Sequence, residues 1–146
     1  MKNLFPHIYI GTLIALIILC GACKKENLDG IKQASLNTPF DLQLSEKVLL
    51  KTADRQLKLE LRSLNDTRCG DVLPCEHTGN ATARVLLSDT DHHAEAETNL
   101  CIGRCDEETK TSDTVMVNID GQKYTIILKR IFGSTDKKAE LQVNTN

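Results

Sequence analysis

From residue 40 onward the apolar side chains recur at every second position, and a chain patterned this way is committed to strands. Phe40, Leu42 and Leu44 alternate with Asp41 and Gln43, and Leu57, Leu59 and Leu61 with Lys58, Glu60 and Arg62. Ala81, Ala83, Val85 and Leu87 form a third set; Ala94, Ala96, Thr98 and Leu100, set against His93, Glu95, Glu97 and Asn99, form a fourth. Successive side chains of an extended chain point to opposite faces, so each set puts its apolar groups on one face of a sheet. Leu57, Leu61 and Leu64 would also line one side of a helix, and leucine is a good helix former. The strict alternation makes strand the expectation there. Val115, Val117 and Ile119 lead into Asp120-Gly121 and then Tyr124, Ile126 and Leu128. Asp-Gly between two such runs signals a tight hairpin, because both residues tolerate positive φ. Ser45-Glu46-Lys47, Thr52-Ala53-Asp54-Arg55 and Gly133-Ser134-Thr135-Asp136 mark further turns, and Ala139, Leu141 and Val143 a last strand. The expected fold is all-β: one small antiparallel β-sandwich or barrel of seven to eight strands over residues 38–146, stapled by disulfides.

The N-terminus has a different character. Lys2 gives a positive start, Ile8 to Leu19 is apolar and uncharged, and Gly21 and Ala22 are small. That is the tripartite pattern of a secretory signal, assigned to residues 1–22. The apolar run is shorter than the roughly 20 residues a spanning helix needs. Leu19-Cys20-Gly21-Ala22-Cys23 resembles a lipobox, the processing site of bacterial lipoproteins; Cys20 stands where leucine is usual. The resemblance implies that Cys23 becomes the acylated first residue of the mature chain, anchored in a bilayer. Lys24-Lys25-Glu26 follows with no Asp beside the cysteine, which in that family favours the outer membrane of the bacterial cell envelope over inner-membrane retention. Residues 23–37 are polar and are expected to form the lipidated N-terminus and a flexible tether.

Charge and composition narrow the function classes. Of 18 basic residues only Lys2 lies in the leader, so 17 remain against 20 acidic ones, a net charge of about −3. That excludes a basic nucleic-acid footprint. Past the leader the aromatics are Phe40, Tyr124 and Phe132, with no Trp, too few for a sugar-stacking platform. Four cysteines besides Cys20 and Cys23 remain: Cys69, Cys75, Cys101 and Cys105. An even number in an exported chain reads as two disulfides, with three possible connectivities. Proximity favours Cys69–Cys75 and Cys101–Cys105, each stabilising by about 2 kcal/mol; a crossed pattern would close longer loops and contribute nearer ~3.5–4 kcal/mol.

The densest stretch is Asp66-Thr67-Arg68-Cys69, five residues, then Cys75-Glu76-His77-Thr78-Gly79-Asn80-Ala81. It resembles a motif of small secreted or lipid-anchored bacterial proteins with no assigned reaction: Asp-Ser-Arg-Cys-Pro, a short loop, Cys, then Gly-x-Ala before a strand. Thr67, Gly70 and His77 depart from that pattern, which covers about residues 39 to 88. The motif reads as scaffold: Arg68 pairing with Asp66 or Asp71, and Gly79 supplying an unusual backbone angle. Its functional reading is a rigid loop presenting Arg68, Asp71 and His77 to a partner.

Asp89, Asp91, His92 and His93 form the one group with metal-ligand character. Adjacent strand residues face opposite ways, so His92 and His93 would share an ion only within a loop; a solvated turn is the plainer reading. Cys69-x5-Cys75 is wide for zinc, and neither cysteine pair is Cys-x-x-Cys, which argues against a thioredoxin-like site. Neither a Gly-x-Ser-x-Gly elbow nor a glycine-rich phosphate loop occurs. The expectation is a non-catalytic envelope lipoprotein without a cofactor, binding an envelope protein or small ligand. A peptidase-inhibitor-like module using the loop around Asp71 to Cys75 is the second reading. A hydrolase in which His77 or His93 meets Ser, Asp or Glu is the third.

Overall fold

The computed structural model describes residues 28–69, 79–91 and 93–145. Ten strands form two sheets packed face to face. One sheet contains β1 (Lys32–Ser35), β3 (Lys47–Lys51), β4 (Gln56–Asp66), β5 (Asn80–Asp89), β6 (Glu95–Cys105) and β7 (Glu108–Lys110), in the order β1-β3-β4-β5-β6-β7. The other contains β2 (Phe40–Gln43), β8 (Asp113–Ile119), β9 (Gln122–Phe132) and β10 (Lys138–Thr145), in the order β2-β10-β9-β8. All pairings are antiparallel except β1 with β3.

The alternating residues make the core. Leu42, Val48, Leu50, Leu57, Leu59, Leu61, Val85, Leu87, Leu100, Ile126, Leu128, Leu141 and Val143 are buried between the sheets, with Tyr124 among them. Burial raises the pKa of the Tyr124 phenol. The Asp120-Gly121 hairpin forms as expected, with φ of 50° and 81° at its two central residues. Residues 56–66 are strand and not helix; the flanking strands β3 and β5 supply pairing partners along the segment.

Two expectations are corrected. There are ten strands among the described residues, not seven or eight. The tether expected to run to residue 37 ends earlier, because Lys32–Ser35 already pairs with β3. That strand carries little apolar pattern, and its pairing depends on β3, which is distant in sequence. Cys23 and residues 1–22 lie outside the described residues.

Two bulges reset the alternation. In β4, Leu61 faces Val85 and Ser63 faces Arg84, leaving Arg62 as the extra residue. In β9, Leu128 faces Leu141 and Arg130 faces Glu140, leaving Lys129 extra. An extra residue shifts the side-chain phase by one. Leu64 and Asp66 therefore continue the inward set of Leu57, Leu59 and Leu61, and Ile131 that of Tyr124, Ile126 and Leu128. The strand ends beyond both bulges meet at one end of the sandwich.

Candidate functional site

That end is held by Arg68. Its Nε donates to Asp66 Oδ1 at 2.9 Å and its Nη2 to Asp66 Oδ2 at 3.0 Å, a bidentate pair. The same Nη2 donates to the Ile131 carbonyl at 2.6 Å, which ties the first sheet to the second. The Arg68 backbone N–H also donates to Asp66 Oδ1, at 3.1 Å. Lys137, in the turn before β10, donates to the Asp66 carbonyl at 3.0 Å and adds a second link between sheets. The Arg68 side-chain bonds hold the Asp66 carboxyl below its ordinary range, and the carboxylate in turn raises the guanidinium. Asp66 is thus a partner of Arg68, as expected, while the other acid considered, Asp71, lies outside the described residues. The guanidinium bonds to the scaffold through Asp66 and Ile131, with its side chain 32% exposed.

Gly79 fits this end by close approach. A Cβ there would stand 2.0 Å from the Thr67 carbonyl oxygen. That close approach supplies a steric reason for a glycine here, beside the backbone angle expected from the sequence. Thr67 and Asn80 join across the same gap, with Thr67 N–H donating to the Asn80 carbonyl at 2.8 Å and Asn80 N–H to Thr67 Oγ1 at 3.2 Å. Asn80 pairs with Gly103, and Arg104 N–H donates to the Gly79 carbonyl at 3.2 Å. Thr67 is thus joined to Asn80, and Gly79 and Asn80 are in turn bonded to β6.

Cys101 and Cys105 are disulfide-bonded, with Cα atoms 6.0 Å apart. Four residues of straight strand would span about 13 Å, so β6 bends, and Gly103 at φ 85° makes the bend. The last three residues of β6 pair with β7 through a turn at Asp106 and Glu107. Asp113 fastens the following strand. Its Oδ2 accepts from Cys101 N–H at 2.9 Å and its Oδ1 from Lys110 Nζ at 3.1 Å. Cys69 is also disulfide-bonded. With Cys101 joined to Cys105, the crossed connectivities are ruled out. Cys75, Asp71 and His77 lie outside the described residues.

The sites expected from sequence therefore separate. Arg68 and the Cys101–Cys105 hairpin come together at one end. Asp89, Asp91 and His93 lie at the other, in the β5–β6 turn, where His93 N–H donates to Asp89 Oδ1 at 2.8 Å. They border a depression of about 370 Å³ shared with Asp54, Arg55 and Asp120. Arg55 pairs with Asp120 at 3.4 Å. Among the described residues no three His, Cys, Asp or Glu side chains are placed to hold a metal ion; His92 lies outside them. Sequence reasoning missed Lys137, Gly103 and Asp113. Only Gly103, between two cysteines, carried a signal that could have marked a bend. Comparison with protein-family models, with curated proteins and with solved structures finds no match to this chain.

Proposed function

We propose that the chain is a lipid-anchored protein of the outer membrane of the bacterial cell envelope, whose β-sandwich is a non-catalytic binding module. The anchor part rests on the leader pattern and on the lipobox-like Leu19-Cys20-Gly21-Ala22-Cys23. The binding part rests on one observation: the Arg68 bonds to Asp66 and Ile131, with the Cys101–Cys105 staple beside them, brace a single end of the sandwich. Braced stems let a loop bind a partner with less loss of entropy. The partner envisaged is another envelope protein, and the residues offered to it are Asp71, His77 and the Asp106-Glu107-Glu108 turn.

Mass spectrometry of the protein from its native membrane should find an acylated Cys23 as the first residue, and Cys23→Ser should release the protein to the soluble fraction. An unmodified chain starting elsewhere overturns the anchor. For the binding part, crosslinking in intact cells should yield a partner that is lost in a chain carrying Asp71→Lys and His77→Ala. A partner retained by that variant removes the loop from the interface.

A second reading, a peptidase-inhibitor-like module inserting the loop bounded by Cys69 and Cys75, draws on the same braced stems. It predicts inhibition of a peptidase in vitro that the same two substitutions abolish.

A further inference from the structure

The sandwich carries its charge unevenly from one strand edge to the other. Among the described strands, β1 and β7 are the two edges of the six-stranded sheet. β2 of the second sheet stands beside β1, where Lys32 Nζ donates to the Asp41 carbonyl at 3.1 Å. On the far side β8 stands beside β6, joined by the bond from Cys101 N–H to Asp113 Oδ2. Residues 28–51, which include β1, β2 and β3, carry Lys32, Lys47 and Lys51 against Asp29, Asp41 and Glu46, a net charge of zero. Residues 95–113, which include β6 and β7, carry six acids against Arg104 and Lys110, a net charge of −4. Asp106, Glu107 and Glu108 are exposed at the tip of that acidic edge.

The chain enters the fold at the uncharged edge. Ile31 N–H donates to the Leu28 carbonyl at 3.3 Å, so Leu28 lies one turn from β1. Cys23 precedes Leu28 by five residues, which span at most about 18 Å. The two edges of the six-stranded sheet are five strand spacings apart, about 24 Å. A bilayer against β7 would be farther still, past the side chains of that strand. A lipid on Cys23 therefore reaches a bilayer set against β1 and falls short of one set against β7. The ends of the sandwich compete poorly. Lys32 is level with Leu59 across β3, and Asp66 lies six paired positions further along β4, about 20 Å away. Contact at that braced end would hold the tether near full extension, at a cost in chain entropy. The opposite end bears Asp54, Asp89, Asp91 and Asp120. Anionic headgroups repel that end and the β6–β7 edge, and screening within about 8–10 Å confines the repulsion to whichever surface is nearest.

We propose that the β1–β2 edge is a docking surface for lipid headgroups: the anchored domain lies with that edge on the bilayer and holds the acidic β6–β7 edge away from it. The exposed Lys32 and Lys51 meet lipid phosphates on this edge. The orientation rests on the lipid anchor at Cys23. It leaves Asp106 to Glu108 as the part of the six-stranded sheet farthest from the lipid, open to a partner on the aqueous side.

The chain contains no tryptophan, so a single introduced one reports its own position. The protein is purified from its native membrane and reconstituted in vesicles of phosphatidylethanolamine and phosphatidylglycerol, with nitroxide-labelled headgroups as the quencher. Gln33 on β1 and Thr109 on β7 are both exposed and uncharged. Emission from Gln33→Trp should be quenched several-fold more than that from Thr109→Trp. Equal quenching, stronger quenching of Thr109→Trp, or none at either site overturns the orientation. Ser35→Trp and Glu107→Trp form a second pair at the same two edges and decide the matter should either of the first variants fail to fold. Flotation separates the two readings. Protein that floats with the vesicles only when Cys23 is intact keeps the anchor whatever the quenching shows; protein that does not float overturns anchor and orientation together.

Discussion

Arg68→Ala is expected to destabilise the sandwich by about 2–4 kcal/mol. The figure follows from what the guanidinium holds. Its bond to the Ile131 carbonyl is charge-assisted and joins the two sheets; such a bond contributes about 1.5–3 kcal/mol. The pair with Asp66 has side chains 32% and 13% exposed, so solvent screening reduces its share to roughly 0.5–1 kcal/mol. Urea denaturation should show the midpoint falling at an unchanged slope, and the melting temperature should drop by about 10 °C. Arg68→Lys should recover only part of the loss, because an ammonium cannot make the bidentate contact and reach Ile131 as well. Acid provides a second reading. The folded Asp66 carboxyl titrates below its ordinary value because Arg68 bonds it, so its contribution is complete above the unfolded pKa of about 3.9. It disappears as pH falls through the lower folded value. Wild-type protein should therefore lose stability below about pH 4 more steeply than Arg68→Ala does. A loss under about 0.5 kcal/mol, the range of ordinary surface substitutions, or parallel acid profiles for the two proteins, would refute the account of Arg68 as a link between sheets.

The other predictions concern separate parts of the fold. Gly79→Ala should cost about 1–3 kcal/mol in chemical denaturation, the range for overpacking, because its Cβ meets the Thr67 carbonyl. Gly121→Ala has open space around it and should cost about 1–2 kcal/mol, from its left-handed backbone; a cost at Gly79 below about 1 kcal/mol would contradict the steric reading there. Replacing Cys101 and Cys105 together by Ala should cost about 2 kcal/mol by the chain-entropy argument. Amide exchange should quicken at Gly103 to Lys110 before the core strands, and a uniform change would show that the staple acts globally. At high pH the raised Tyr124 pKa favours the protonated, folded form, so stability should decline as pH rises past about 10. Tyr124→Phe should remove that decline.

The strands with a period-two apolar set were legible because their burial is written in the residues themselves: Leu57 to Leu61, Ala81 to Leu87 and Tyr124 to Leu128 all lie where the alternation puts them. β1 and β7 were not. Lys32–Ser35 and Glu108–Lys110 are short and polar, and they become strands only because β3 and β6 offer them a free edge. The bulges at Arg62 and Lys129 were invisible for a related reason, since register belongs to a pair of strands. For the site, Asp66, Arg68 and the Cys101–Cys105 pair could be picked out. Their joint role could not, because Ile131 is brought to Arg68 by the packing of two sheets.

The bulges also bear on how the chain avoids mispairing. Sliding β4 by one residue against β5 would absorb Arg62, but it would turn Leu64 and Asp66 to the solvent side and break the contacts of Arg68. Sliding it to suit Asp66 alone would put Leu57, Leu59 and Leu61 outside. Each half of the strand thus rejects the slip the other would tolerate, and β9 repeats the arrangement around Lys129 with Tyr124 to Leu128 on one side and Ile131 on the other. The Arg68 bridge can close only when both strands have settled in the correct alignment, so it acts as a check on assembly as well as a fastening.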